Sequence, residues 1–448
     1  METANTTYHT VEKCDKSRKP TIDPQKTQGH TMEIPRPLYL NALVQRRHNG
    51  LVKVVTGIRR AGKSYLLFTI FTDWLRSQGI DDAHIIRIVL DDLESMPYRD
   101  PLVLLRHIKS LITDGEMYYI LLDEVQMVDR FEELLNSLLH IKNADIYVTG
   151  SNSRFLSRDI ITEFRGRGDE VHLYPLKFSE FMSVFEGDVR AGWNEYVTYG
   201  GLPAVLLQAA HPQKSKYLRD LFSETYLKDI VARNHIRNTA ELEALIDILS
   251  SSIGSLTNPQ RIVNTFRTVE KSSISAVTVA SYLAALQDAF LITGVKRFDV
   301  RGRHYIGSPL KYYFEDAGLR NARLNFRQQE ETYLMENIIY NELRARGFDV
   351  DVGVVERVSR DASGARRRVR YEVDFVVNQG SRRYYIQSAF ALPDADKVRQ
   401  EKRPLLSIDD SFKKIIVVKD DMMLKRDEDG IVTMGLFEFL LDEGSLDR

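Results

Sequence analysis

The sequence predicts a multidomain α/β protein whose first domain is an open parallel sheet. Three observations predict it. Short apolar runs at 52–56, 84–90, 118–122 and 144–149 alternate with segments of helical period, such as 102–112 and 131–140. The first run passes directly into Gly57 and then into a helical stretch. The third ends in two acids, Asp123 and Glu124. Strands alternating with helices call for parallel pairing through right-handed crossovers.

At 448 residues the chain is too long for one ordinary core, so several domains are expected. Apolar residues make up 43% and charged residues 28%, the proportions of a soluble globular protein. The formal net charge is −1, so a nucleic-acid partner has to be argued from local patches rather than from the whole chain. Cys14 is the single cysteine, which excludes an internal disulfide and fits a reducing, cytoplasmic setting. No stretch has the roughly 18 uninterrupted apolar residues of a membrane helix. Residues 1–31 are polar, read as a disordered tail rather than a secretory signal. Met32 opens the first apolar pattern and is an alternative start of translation.

Gly57-Ile58-Arg59-Arg60-Ala61-Gly62-Lys63-Ser64 fits G-x-x-x-x-G-K-[ST] at every required position. Its glycines let successive N–H groups converge on phosphate oxygens, and the following helix adds its positive end. Lys63 would reach the β- and γ-phosphates, and Ser64 would hold Mg²⁺. Residues 57–65, Tyr65 included, are therefore the expected nucleotide-binding segment. Strand 118–122 supplies the other half: Asp123 for the metal, Glu124 for the attacking water. The next strand closes on Thr149-Gly150-Ser151-Asn152, where Ser151 or Asn152 could touch the γ-phosphate. Arg165 and Arg167 could supply a transition-state cation, in cis or from a neighbouring subunit. Together these define an expected P-loop nucleoside triphosphatase core over 32–176, with a nucleoside triphosphate and Mg²⁺ as cofactors.

Residues 177–252 are helical by pattern, with a turn at Gly200-Gly201-Leu202-Pro203, and are expected to form a helical lid. Residues 253–315 suggest a winged helix-turn-helix. Helices are expected at 258–269 and 275–290, the second carrying Val277, Val279, Tyr282, Leu283 and Leu286 on its apolar face. Ser273, Thr278, Ser281 and Gln287 lie on its polar face. A hairpin follows (292–298 and 304–306), with Lys296, Arg297, Arg301, Arg303 and His304 as a basic wing for duplex DNA. Residues 316–448 are expected to form a last α/β domain, with a helix from Glu331, strands at 348–355, 369–377, 384–387 and 413–418, and an arginine-rich tip at 357–370.

The motifs resemble a large prokaryotic family of AAA-like ATPases related to the STAND and archaeal ATPase groups, from residue 32 to the end. The matching segments are the 57–64 loop, Leu122-Asp-Glu-Val-Gln, Gly150-Ser-Asn-Ser, Gly166-Arg167 and Pro175-Leu-Lys-Phe-Ser-Glu-Phe. Tyr199-Gly-Gly-Leu-Pro, Tyr226-Leu-Lys-Asp-Ile, Lys311-Tyr-Tyr-Phe-Glu-Asp-x-Gly-Leu-Arg and Glu372-Val-Asp-Phe match as well. The resemblance implies an ATPase core, a helical lid, a winged helix and a terminal restriction-endonuclease-like domain. In the last, Glu336 and Asp374 take metal-binding positions. The E-x-K position reads Gln387-Ser388-Ala389, so an inactive nuclease fold retained for binding is expected.

Three functions stay open on the sequence. The first is Mg²⁺-dependent ATP hydrolysis that moves the C-terminal domains. The second is a nucleotide-gated adaptor for DNA or a protein partner. The third is an ATP-dependent nuclease. Oligomerisation is open too, since an arginine acting in trans requires it.

Overall fold

The computed structural model describes residues 33–150, 166–270, 274–327, 330–360 and 366–448. The chain divides into units 1–34 and 35–448, and everything below concerns the second.

Five parallel strands form the first sheet: β1 (Val52–Thr56), β2 (Ile85–Val89), β3 (Tyr118–Asp123), β4 (Ala144–Thr149) and β5 (Gly168–His172). Their order is β2-β3-β4-β1-β5. β1, β3 and β4 are buried almost throughout, because helices cover both faces. Val52, Val54, Ile120, Leu122, Ile146 and Val148 point to one core. Val55, Tyr119, Leu121 and Tyr147 point to the other, and the alternation follows the two-residue period of a strand. β4 separates β1 from β3, so the phosphate loop and the acid pair emerge on either side of the end of β4, at the carboxyl edge where such sheets bind ligands.

β5 was not expected. Its sequence, Gly168-Asp-Glu-Val-His, is too polar to read as a strand, which suits a sheet edge facing water on one side.

Helices fill 178–251, from Phe178–Met182 to Thr239–Ser251. Ser275 caps the helix Ala276–Asp288 by accepting from Thr278 N at 3.0 Å. Val279, Tyr282, Leu283 and Leu286 of that helix are buried as expected, but Val277 is 80% exposed at its first turn. Ser273 lies outside the described residues.

The second sheet has eight strands: β6 (Ile292–Asp299), β7 (His304–Phe314), β8 (Asp349–Arg360), β9 (Arg366–Gln379), β10 (Arg382–Ala389), β11 (Lys413–Val418), β12 (Lys425–Arg426) and β13 (Val432–Gly435). The order is β12-β13-β11-β10-β9-β8-β6-β7. The β6–β7 hairpin is thus no free wing. Arg297, Phe298 and Asp299 pair in parallel with Val352, Gly353 and Val354 of β8, which makes the hairpin the edge of the C-terminal sheet. A boundary at 315/316 therefore cuts a hairpin from the sheet it belongs to. The 357–370 segment is the end of the β8–β9 hairpin, in keeping with the expected tip: β8 runs to Arg360 and pairs antiparallel with β9 from Arg366.

Candidate nucleotide site

The phosphate loop is wedged between the ends of β4 and β5. Gly150 N donates to Val55 O at 3.1 Å, and Leu173 N to Thr56 O at 2.8 Å. Gly57 has φ 133°, and a Cβ there would fall 2.1 Å from Leu173 O, so only glycine fits. Gly62 has φ 101° and turns the chain into the helical run that begins at Lys63. Ile58 and Ala61 are buried beneath the loop, while Arg60, Ser64 and Tyr65 lie at its surface.

Lys63 is buried, and its Nζ donates to the loop's own carbonyls, Gly57 O at 3.0 Å and Ile58 O at 3.2 Å. Burial pulls this ammonium down to about 8, against the raising pull of Glu124 and Asp123. Ser64 Oγ donates to Asp123 Oδ1 at 3.0 Å. Thr149 Oγ1 donates to the same oxygen at 2.5 Å. Burial raises the Asp123 carboxyl, and the hydrogen bonds from Thr149 and Ser64 partly offset that. Glu124 takes a left-handed backbone, φ 52°, its N donating to Thr149 Oγ1 at 2.9 Å. Gln126 Nε2 donates to Glu124 Oε2 and holds the carboxylate. Hydroxyl, carboxylates and lysine thus converge across 60 residues of sequence. The donor set, one hydroxyl and one carboxylate beside a loop of backbone N–H groups, is chemically suited to a magnesium–phosphate group.

Thr149 is the polar residue of β4 that reaches the site. Its signal was a hydroxyl ending an apolar strand. Ser151, Asn152 and Arg165 lie outside the described residues. Arg167 is at the wrong end of the sheet for a cis role. β1 and β5 run in register from Val52 with Gly168 to Thr56 with His172. Arg167 is therefore a full strand, roughly 16 Å, from the loop. Its carbonyl accepts from Val52 N, and its guanidinium donates to Asn136 Oδ1 at 3.0 Å.

Distant segments clamp the loop. Arg36 donates to Ala61 O (3.4 Å), Tyr174 O (2.7 Å) and Glu180 Oε1 (3.0 Å). Tyr226 Oη donates to Arg59 O at 2.6 Å, and Asp229 lies 3.7 Å from the Arg59 guanidinium. The Tyr226-Leu-Lys-Asp motif is thus a loop support. Asp316 accepts from Gly201 N (2.8 Å) and Leu319 N (2.9 Å), and a Cβ on Gly200 would fall 2.3 Å from its Oδ1. Gly200 leaves room for that carboxylate, while Gly201 leaves room for the Leu176 carbonyl, 2.3 Å from where its Cβ would fall.

In the C-terminal sheet Glu336 and Asp374 do come together, but around a lysine. Lys311 Nζ lies 2.9 Å from Glu336, 2.8 Å from Glu372 and 3.9 Å from Asp374. Tyr313 Oη donates to Glu336 at 2.6 Å. Burial lowers the Lys311 pKa, but Glu336, Asp374 and Glu372 outweigh it and raise it overall. Burial, then Glu336, pushes the Asp374 carboxyl up to about 8. The lysine at the centre of these carboxylates comes from β7. Among the described residues no group of three His, Cys, Asp or Glu is arranged to hold a metal.

The basic hairpin turn is partly spent. Arg301 donates to Asp409 at 2.5 Å, and Arg297 folds onto Ser308 O and Pro309 O. No helix among the described residues is long and apolar enough to cross a membrane.

A glycine loop, its lysine and serine, and an acid pair two strands away define an AAA-type P-loop domain, and residues 49–182 match the AAA domain family. Residues 190–330 match a domain of unknown function, DUF8612. Over 414 residues the chain is 32% identical to an uncharacterized protein of Haemophilus influenzae, across 91% of this chain and 98% of that one. The chain belongs to the same family as that protein. It is also 28% identical over 391 residues to an uncharacterized protein of Methanocaldococcus jannaschii, across 83% of this chain and 82% of that one. Among solved structures it is similar to the Aeropyrum pernix ORC1 protein in complex with DNA, at TM-score 0.30 and 12% identity, over 64% of this chain and 91% of that one. It is similar also to CDC6P from Pyrobaculum aerophilum, at TM-score 0.27 and 11% identity, over 69% and 97%. At those scores neither likeness bears on function.

Proposed function

We propose that the protein is an MgATP-dependent ATPase whose nucleotide cycle moves the C-terminal sheet. The observation that carries this is the meeting of Ser64 with Asp123 beside a Lys63 whose Nζ, among the described residues, hydrogen-bonds only loop carbonyls. The N–H groups of residues 57–64 would hold the phosphates. Lys63 would leave Gly57 O and Ile58 O for the β- and γ-phosphate oxygens. Ser64 and Asp123 would hold Mg²⁺, which would supply charge neutralisation of the phosphates when bound. Glu124, fixed by Gln126, would orient the attacking water and take its proton as the water oxygen bonds to the γ-phosphorus and the bridging oxygen leaves with ADP. Any arginine contribution from Arg167 comes in trans, within an oligomer.

A second reading, a nucleotide-gated adaptor for duplex DNA, is favoured by the clefts beside the hairpin turn. One, of about 1450 Å³, is lined by Arg301, Arg357, Arg368, Arg399, Lys402 and Arg403 together with Asp299, Glu356, Asp396 and Asp429, some of them already paired, as Arg399 is with Asp396 and Lys402 with Asp429. A second, of about 610 Å³, adds Arg303, Arg382 and Arg383. The basic groups suit phosphate contacts without base readout.

The test is ATP turnover by wild type and Glu124→Gln, with and without duplex DNA. Turnover that Glu124→Gln lowers by about 10²–10⁴ supports the ATPase. Tight ATP binding with no turnover in either protein favours the adaptor, and DNA affinity that is independent of salt counts against both uses of DNA.

A further inference from the structure

The end of the C-terminal hairpin is wired to the strand that carries the phosphate loop. Thr56, the residue before Gly57, is fully buried, and its Oγ1 donates to Glu170 Oε1 at 2.5 Å. The same hydroxyl lies 3.0 Å from His172 Nδ1, directly across the β1–β5 register. The other ring nitrogen, His172 Nε2, lies 3.0 Å from Glu315 Oε1. A carboxylate only accepts, so Nε2 carries a proton there. The ring is held between Tyr174 and Phe290, with centroids 4.5 and 4.7 Å away.

Glu315 is buried and directly follows β7. Its N donates to Leu291 O at 3.2 Å, and its own carbonyl accepts from Asn341 at 3.0 Å. It is therefore fixed to the base of the β6–β7 hairpin and to the helix Glu331–Ala345. Its carboxylate is among the charges that act on Lys63. The next residue, Asp316, holds the Gly200–Gly201 loop, whose Pro203 side chain comes within 4.0 Å of the place a Cβ on Gly62 would occupy. Adjacent carboxylates thus grip the phosphate loop's surroundings from two sides.

We infer that Thr56, His172 and Glu315 couple nucleotide occupancy of the loop to the base of the C-terminal sheet. His172 and Glu315 are positioning residues. A shift of β1 as the loop closes on phosphate is passed through the imidazole to Glu315 and hence to β7 and the helix Ala317–Arg323. A contiguous chain of this kind is a coupling path only if both ends respond to it. The inference rests on the proposed ATP site.

The test uses the full chain, with ATP affinity and amide hydrogen exchange measured with and without MgATP. His172→Phe keeps the ring between Tyr174 and Phe290 but removes both nitrogen contacts; Glu315→Gln keeps the shape without the charge. Unchanged melting temperatures establish that the variants are folded, and Thr56→Val serves if either is not. In wild type, MgATP is expected to change exchange at 312–323. In His172→Phe, ATP still binds but that change is lost, and the double variant loses no more than His172→Phe alone. Binding with the 312–323 response intact in the variants overturns the coupling. So does wild-type binding with no response. Wild type that binds no ATP overturns the nucleotide site itself, and the coupling with it.

Discussion

Two buried lysines, Lys63 and Lys311, each sit beside carboxylates at a sheet, and their environments differ in sign. Lys63 has carbonyl oxygens as hydrogen-bond partners, and burial depresses it to about 8. Lys311 lies within 3 Å of Glu336 and Glu372, which with Asp374 raise it overall. A buried ammonium without a counter-charge is costly, and one among carboxylates is neutralised. Among the described residues the Lys63 ammonium hydrogen-bonds carbonyls rather than a carboxylate, with Glu124 and Asp123 acting on it as charges. The second site already contains a cation, Lys311, among its carboxylates.

The comparison breaks first on chemistry. Lys63→Ala is expected to lower ATP turnover by at least about 10², the loss typical of one transition-state donor. Lys311→Ala in the same assay should leave turnover within a few-fold. Stability should show the reverse. Lys311→Met leaves Glu336 and Glu372 without their cation and is expected to cost about 3–5 kcal/mol in denaturant unfolding. Lys63→Met removes a poorly compensated charge and should be neutral or stabilising.

A smaller effect concerns Asp316. Burial pushes its carboxyl up to about 6, against the hydrogen bonds from Gly201 and Leu319. With the folded value above the unfolded one, its favourable contribution is complete below about pH 4 and lost as pH rises through about 6. The difference in unfolding free energy between wild type and Asp316→Asn should therefore drift by up to about 3 kcal/mol over that window, against Asp316 at the higher pH. A flat difference would mean that the carboxyl is not raised. The smallest effect is expected for Arg167→Ala, which should leave turnover unchanged at dilutions where the chain is monomeric. A loss appearing only with rising protein concentration would sharpen the assignment to a neighbouring subunit.

The phosphate loop and Asp123–Glu124 were legible because the chemistry demands fixed residue types at short spacing, and a strand that ends in acids has few alternative uses. The helix face at 277–286 was legible from its period, apart from Val277, which the helix start leaves in water. β5 was hidden by its edge position, where burial on one side does not force an apolar run. Lys311 was hidden for another reason. It meets Glu336, Glu372 and Asp374 only once β7, β9 and the helix Glu331–Ala345 are assembled. Thr56, His172 and Glu315 carry no local signal either, since their contacts join residues 116 and 143 apart.

The central claim, that Lys63 marks a site awaiting a polyphosphate, is tested most directly by thermal unfolding of wild type and Lys63→Ala across a range of MgATP concentrations. Ligand that binds only the folded chain stabilises it by RT ln(1 + [L]/Kd), about 2.7 kcal/mol at a hundredfold excess over Kd. The expected result is a wild-type melting temperature that climbs with MgATP and a Lys63→Ala temperature that does not. A wild-type melting temperature indifferent to MgATP, or an equal rise in both proteins, would contradict it.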